Sequence, residues 1–488
     1  MQTKLFIGGE FVDALGGETL PVLNPHDGSE LAQIALAGRA DVDRAVDAAC
    51  AAADGWANTP AAERGRYLGK LADAIDAAAD ELARLESTDT GHPVRDSEAL
   101  DVPRTAATFR YFAGMADKVE GSVIPAERGF LNYLLRGPVG VVGQIVPWNF
   151  PLMFCGWKLG PALAAGNTVV MKPSELTPLS SLRLAELMGA VGIPPGVGNI
   201  VPGLGETAGA AIAEHPDIAK VSFTGSTATG RKVVEASAGN LKRLQLELGG
   251  KGANIVFDDA DLTAAVNGSA FAIFHNQGQA CIAGSRLLLH ERIAAEFTER
   301  FVTLAESIRI GDPLDPNTEM GPLTSALHRD RVLAYVKVAL DDDAQILTGG
   351  GSPPGRADLD LGYYIAPTVV WADPASRVCR EEVFGPFVTI STFHDEDEVV
   401  ETANGTDYGL GGGLWTRDLS RAHRMARRLR TGMVWINSYK RVSPASPFGG
   451  VGRSGYGREM GFEAMHEYTE PKSVWVNVDA DLPPWYWR

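Results

Sequence analysis

The chain has 488 residues, 45% of them hydrophobic and 22% charged, which excludes a disordered protein or a single small core and predicts two or three globular units. Lys and Arg total 44 against 61 Asp and Glu, and the resulting net charge of −17 opposes binding to nucleic acid or to an anionic membrane surface. Cys50, Cys155, Cys281 and Cys379 lie too far apart for a disulfide framework, so a reducing, cytoplasmic compartment is expected.

The N-terminal stretch carries no apolar run of signal-peptide length, and Phe6-Ile7-Gly8-Gly9-Glu10-Phe11-Val12 predicts a tight hairpin at a sheet edge. Asp41 is placed to cap a helix over 42–53. Thr59-Pro60 opens a longer one to about residue 86, in which Leu68, Leu71, Ala72, Ile75 and Leu82 share a buried face. A third helix is expected over 97–116. The most apolar region, 137–171, is interrupted by Gln144, Asn149, Lys158 and several prolines and does not read as a membrane span.

From residue 139 short apolar strands (141–146, 168–171, 200–201, 220–223, 244–246) alternate with helices such as 152–165 and 179–190. That alternation implies a parallel sheet covered on both faces, with ligands at the carboxyl ends of its strands, where Asn149, Lys172, Gly225 and Glu247 fall. A second series follows, with strands at 255–257, 287–289, 368–371, 388–393 and 433–437 and helices at 293–308, 327–339 and 419–429. The glycines after Glu247 make a hinge between two α/β units, and a cleft there would suit a small molecule.

Cys281 stands in Asn276-Gln277-Gly278-Gln279-Ala280-Cys281-Ile282. A free thiol here is either a small buried hydrophobe or a nucleophile, and this stretch alone does not decide. Gly278 and Gly284 would let the backbone approach a bound substrate. His275 reads as a packed helix-end residue or as a partner for the thiol. Neither His-Glu-x-x-His nor Cys-x-x-Cys spacing occurs, so no metal is expected, and Asp341-Asp342-Asp343 reads as a solvated run.

Six motifs, in order, carry a resemblance that spans nearly the whole chain: Pro147-Trp148-Asn149-Phe150-Pro151, Phe223-Thr224-Gly225-Ser226, Leu246-Glu247-Leu248-Gly249-Gly250-Lys251, Gly278-Gln279-Ala280-Cys281, Glu381-Glu382-Val383-Phe384-Gly385-Pro386-Phe387 and Ser446-Pro447-Phe448-Gly449-Gly450. Together they resemble the NAD(P)-dependent aldehyde dehydrogenase superfamily. The resemblance implies an α/β fold with a Rossmann-type NAD-binding domain (1–120 and 139–249), a second α/β catalytic domain (250–450) and a small β oligomerisation arm and tail (121–138 and 466–488). It further implies a homodimer or homotetramer. The terminus 483–488 is unusually aromatic and reads as an interface plug.

By the same resemblance Cys281 attacks an aldehyde and hydride leaves for NAD. Asn149 and the Cys281 backbone N–H would hold the oxyanion, and Glu247 would activate water against the thioester. Lys158 and Glu459 would pass protons toward that base. For the cofactor it implies Ile145, Trp148, Leu248 and Phe384 as packing residues, Gly225, Ser226 and Gly230 at the pyrophosphate, Lys172 and Glu175 at the adenosine ribose, and Glu382 at the nicotinamide ribose. A carboxylate at 175 would repel a 2′-phosphate, which favours NAD over NADP.

For the substrate it implies a tunnel of Phe150, Met153, Phe154 and Trp157 with Ala280, Ile282, Val442 and Phe448. Arg104 lies on its bordering helix and Lys440-Arg441 in the loop at its mouth, where they could hold a distal carboxylate. Two other readings stay open: acyl transfer to coenzyme A, whose enzymes usually lack a Glu at position 247, and a relative that binds without catalysing.

Overall fold

The computed structural model describes residues 2–481; the aromatic terminus 483–488 lies outside the described residues. Eight strands form one sheet in the spatial order Gly455–Tyr456, Arg243–Glu247, Lys220–Thr224, Val141–Ile145, Thr168–Lys172, Gly198–Ile200, Leu5–Ile7 and Glu10–Val12. The five from Arg243–Glu247 to Gly198–Ile200 are mutually parallel, and the predicted hairpin closes the edge beyond them, with Gly8 and Gly9 at φ 61° and 87° making its turn. Val141–Ile145, Thr168–Lys172 and Lys220–Thr224 are buried at every position, which is why they read as continuous apolar runs rather than as alternation. Register sets Glu247 opposite Thr224, Phe223 opposite Ile145 and Ile145 opposite Lys172, so the strand ends that carry the motifs share one rim.

The helical region departs from expectation in three places. Asp41 is not the first cap but lies inside Arg39–Asn58, where its carboxylate accepts from the Gly38 and Leu15 amides at 3.0 Å each. The long helix is two, Ala61–Ala77 and Ala79–Thr90, broken at Ala78, with Asp80 and Glu81 favourably placed in the first turn of the second. The third opens with a wide π turn, Ser97–Asp101, before Val102–Met115.

A second sheet of seven strands has the order Gln345–Thr348, Thr368–Trp371, Phe387–Phe393, Arg286–His290, Ala253–Val256, Gly411–Trp415 and Met433–Ile436, parallel except for the first. Gly411–Trp415 was not foreseen, because a run of three glycines carries no strand signal. Its glycines serve packing: a Cβ at Gly411 would come within 2.8 Å of the Trp435 ring, and one at Gly413 within 2.6 Å of Tyr439. A three-stranded sheet, Thr469–Asn477 beside Phe130–Pro138 beside Ser122–Ile124, stands apart and exposes Val123, Leu135 and Trp475. Among the described residues no helix is long and apolar enough to cross a membrane.

Candidate active site

The loop that carries Cys281 follows the helix Leu262–Phe274 and turns through three consecutive left-handed residues, Asn276 (φ 54°), Gln277 (φ 52°) and Gly278 (φ 70°). Such a turn is unfavourable for two non-glycine residues and persists only where its surroundings fix it. Here side chains do so. Asn276 Nδ2 donates to the Asn149 carbonyl (2.7 Å), Asn149 Nδ2 donates back to the Gln279 carbonyl (2.9 Å), and Gln277 Nε2 donates to the Gly91 carbonyl (2.6 Å).

The glycines of this region serve the protein's own backbone, which corrects the expectation that they make room for substrate. A Cβ at Gly278 would meet the Gly385 carbonyl at 1.9 Å, and one at Gly284 would press on Ala272 at 3.0 Å. Gly250 plays the same part from the other side, since its Cβ would lie 2.4 Å from the Cys281 carbonyl. The hinge after Glu247 and the cysteine loop are thereby in contact.

Cys281 lies where two cavities meet, and among the described residues it is the lining residue they share. One is lined by all nine side chains named for the substrate: Arg104, Phe150, Met153, Phe154, Trp157, Ala280, Ile282, Val442 and Phe448. Phe271 and His275 complete it, together with Lys440, which is buried inside rather than exposed at the mouth; Arg441 is not among the lining residues. Sequence reading missed Phe271, whose helical position looks like ordinary core. His275 packs its ring against Phe271 (4.7 Å), His92 (5.2 Å) and Phe150 (6.2 Å), so it is a wall residue.

The other cavity is a larger cleft at the strand-end rim, and it takes in Trp148, Gly225, Ser226, Leu248, Glu382 and Phe384. Four residues named for the cofactor do not line it. Ile145 is core; Lys172 spends its three N–H donors on the Pro173 carbonyl, Glu175 and the Gly203 carbonyl, as a buried ammonium must; Glu175 is held by that pair. Gly230 instead makes room for Leu248, whose Cδ2 would lie 2.7 Å from an added Cβ. His328, unforeseen, sits between Trp148 and Phe384 and reaches the Phe384 carbonyl at 2.7 Å.

The cleft fits a dinucleotide. Ser226 caps the helix Thr227–Ala236, whose N-terminus favours phosphate, and Thr224 Oγ1 is buried there without a partner. The Glu382 carboxylate accepts from the Gly250 amide at 2.8 Å and keeps an oxygen available for ribose hydroxyls; burial raises its pKa to about 7.

Glu247 is buried with both carboxylate oxygens unpartnered. Burial, then the charge of Glu459, raises its pKa well above the usual carboxylate range. Gly449 leaves it space, since a Cβ there would fall 2.7 Å from Glu247 Oε1. Beyond it Lys158 Nζ lies 2.6 Å from Glu459 Oε1 and 2.7 Å from Ser222 Oγ, a fully buried trio. The Cys281 thiol is itself pushed up to about 12 by burial and by the charges of Glu247 and Glu382, so it is protonated until a base takes its proton.

Residues 11–474 match the profile of the aldehyde dehydrogenase family. The chain is 46% identical over 480 residues to the mitochondrial aldehyde dehydrogenase of Homo sapiens, covering 97% of this chain and 92% of that protein. It is 42% identical over 490 residues to the betaine aldehyde dehydrogenase of Bacillus subtilis, covering 100% of both. Among solved structures, PnpE from Pseudomonas sp. WBC-3 superimposes with a TM-score of 0.98 at 66% identity over 100% of both chains, and PnpE has also been solved in complex with nicotinamide adenine dinucleotide.

Proposed function

From the premise that this chain belongs to the aldehyde dehydrogenase family, oxidoreductases acting on aldehydes, we propose that it oxidises an aldehyde to the carboxylic acid with NAD, through a covalent bond to Cys281. The observation that carries this reading is the thiol at the junction of an apolar cavity and a larger cleft that opens on a helix N-terminus suited to phosphate. An aldehyde in the first and a nicotinamide in the second would meet across one sulfur atom.

Cys281 Sγ bonds to the carbonyl carbon as its proton passes to Glu247, a carboxylate with free oxygens and a raised affinity for protons. The oxygen that gains charge is held by the Cys281 backbone N–H and by the second Asn149 N–H, the first being fixed on the Gln279 carbonyl. When bound, NAD supplies the acceptor for the hydride that leaves the tetrahedral carbon. Once Glu247 has passed on the thiol's proton, it takes a second one from water as the water attacks the thioester; the thiolate leaves and the acid results. Lys158 and Glu459 lie behind Glu247 as the route by which that proton departs.

The reading is tested by following absorbance of NADH with neutral and carboxylated aldehydes, and by identifying the product. The free acid is expected, unchanged when coenzyme A is added; appearance of the acyl-coenzyme A ester would replace hydrolysis by transfer. Glu175, still beside Lys172, supports a preference for NAD, expected as a kcat/KM at least about tenfold above that with NADP. Equal values would remove that part.

The exposed apolar side chains of the three-stranded sheet support its role as an oligomerisation arm, giving a homodimer or homotetramer. Paired Val123→Glu and Trp475→Glu substitutions are expected to shift sedimentation toward a smaller species. A native chain that sediments as a monomer at micromolar concentration would end the idea. The four free, scattered cysteines support a reducing compartment.

A further inference from the structure

The apolar cavity in front of Cys281 holds charge of one sign. Among its described lining residues the cationic side chains are Arg104 and Lys440, and no carboxylate lines it. Lys440 is 5% exposed, yet its ammonium makes a single long hydrogen bond, 3.4 Å to the His275 carbonyl, and otherwise lies 6.0 Å from the centroid of Phe271. Its backbone is held at φ 56°, a left-handed conformation disfavoured without glycine, and the loop is pinned there by Trp435 Nε1 donating to the Arg441 carbonyl at 2.8 Å. Arg104, half-buried on Val102–Met115, has the charge of Asp101 near it, but that carboxylate is already bound by His92 Nδ1 (2.7 Å) and Ser97 Oγ (3.3 Å).

A cation held in an apolar space without a counter-ion, as Lys440 is, is unfavourable, and a strained loop that keeps it there needs a reason. Burial lowers the pKa of Lys440, to about 7, and that of Arg104. Both also act on the neighbouring imidazole: burial, then the charges of Lys440, His92 and Arg104, keep His275 neutral with both ring nitrogens unpartnered. His92, Asp96 and His275 do bring ligand atoms within 4.8 Å of one another, but Lys440 and Arg104 oppose a metal cation beside them. What the cavity lacks is an anion.

Resting on the reading of Cys281 as the nucleophile that faces this cavity, we propose that the preferred substrate is a semialdehyde, with an apolar stem between its aldehyde at Cys281 and a carboxylate received by Lys440 and Arg104. The aromatic walls take the stem and the His275 ring N–H is free to donate to the same carboxylate. A competing role for Lys440 is to steady the Cys281 thiolate, on which its charge also acts.

Matched pairs separate the two: 4-oxobutanoate, 5-oxopentanoate and 4-formylbenzoate, each against its methyl ester, with NADH formation as readout. For at least one pair, wild-type kcat/KM is expected to be about 30-fold or more higher for the acid. Lys440→Met should bring that ratio close to one, Arg104→Met should lower it about tenfold, and Lys440→Arg should restore part of it. Esters as good as acids with the wild type, or an equal loss on both members of each pair in Lys440→Met, would overturn the proposal while the family reaction stands. Failure of every aldehyde to yield NADH would instead defeat the reaction itself. Should the variants not fold, the wild type still decides: glutarate is expected to compete with methyl 5-oxopentanoate at least about tenfold better than glutaramide, and equal potency would overturn the proposal.

Discussion

Cys281→Ser is expected to lower kcat/KM with NAD by at least about 10³-fold on every aldehyde that the wild type oxidises, close to ~4 kcal/mol of transition-state stabilisation. The replacement is nearly isosteric, and the loop that carries it is fixed by Asn149, Asn276 and Gln277 rather than by the sulfur. Folding should therefore be preserved, with a thermal midpoint close to that of the native chain. The loss would come from chemistry: a serine hydroxyl is far less acidic than a thiol and a weaker nucleophile, and in a site that already pushes the thiol up to about 12 it would stay protonated. Undiminished NADH production by a folded Cys281→Ser protein would end the covalent account.

Glu247→Gln should lower steady-state turnover by roughly 10²–10⁴-fold. Its distinguishing mark is kinetic. Without Glu247 the thiol also loses the base that takes its proton, so rapid mixing should show no burst of NADH ahead of the slow steady phase. The pH response has a definite sign. Burial and Glu459 raise the Glu247 pKa, so its basic form is scarce at low pH and grows as pH rises; wild-type turnover should climb through that titration and the Gln variant should lack this limb. Steady-state rates within about threefold of the wild type would remove Glu247 from the base role.

Much of the scaffold was legible because its signals are local. The helix Leu179–Ala190 and the strand Thr368–Trp371 have the bounds that periodicity gives, and the apolar runs ending in Lys172, Thr224 and Glu247 are buried parallel strands. Gly411–Trp415 was not legible, because its glycines answer to Trp435 and Tyr439, distant in sequence. Lys172 was read as a ribose contact; that it also donates to the Gly203 carbonyl was not legible, because nothing in its neighbourhood names a residue so distant in sequence. Phe271 and Lys440 were hidden or misplaced for the same reason: one looks like helix core and the other like a surface cation until the walls around them are known.

By itself the sequence determined the two alternating α/β series and the order of the six motifs, since these depend on residue identity and on spacing within a strand, a turn or a helix; the kind of reaction came from the family those motifs resemble. Only the tertiary structure decided that the thiol joins two cavities, that the glycines beside it accommodate backbone rather than substrate, and that a lysine with no counter-ion is buried inside the apolar one. Those facts depend on contacts between segments far apart in the chain, and no periodicity or local motif encodes which side chain will be left without a partner once they pack.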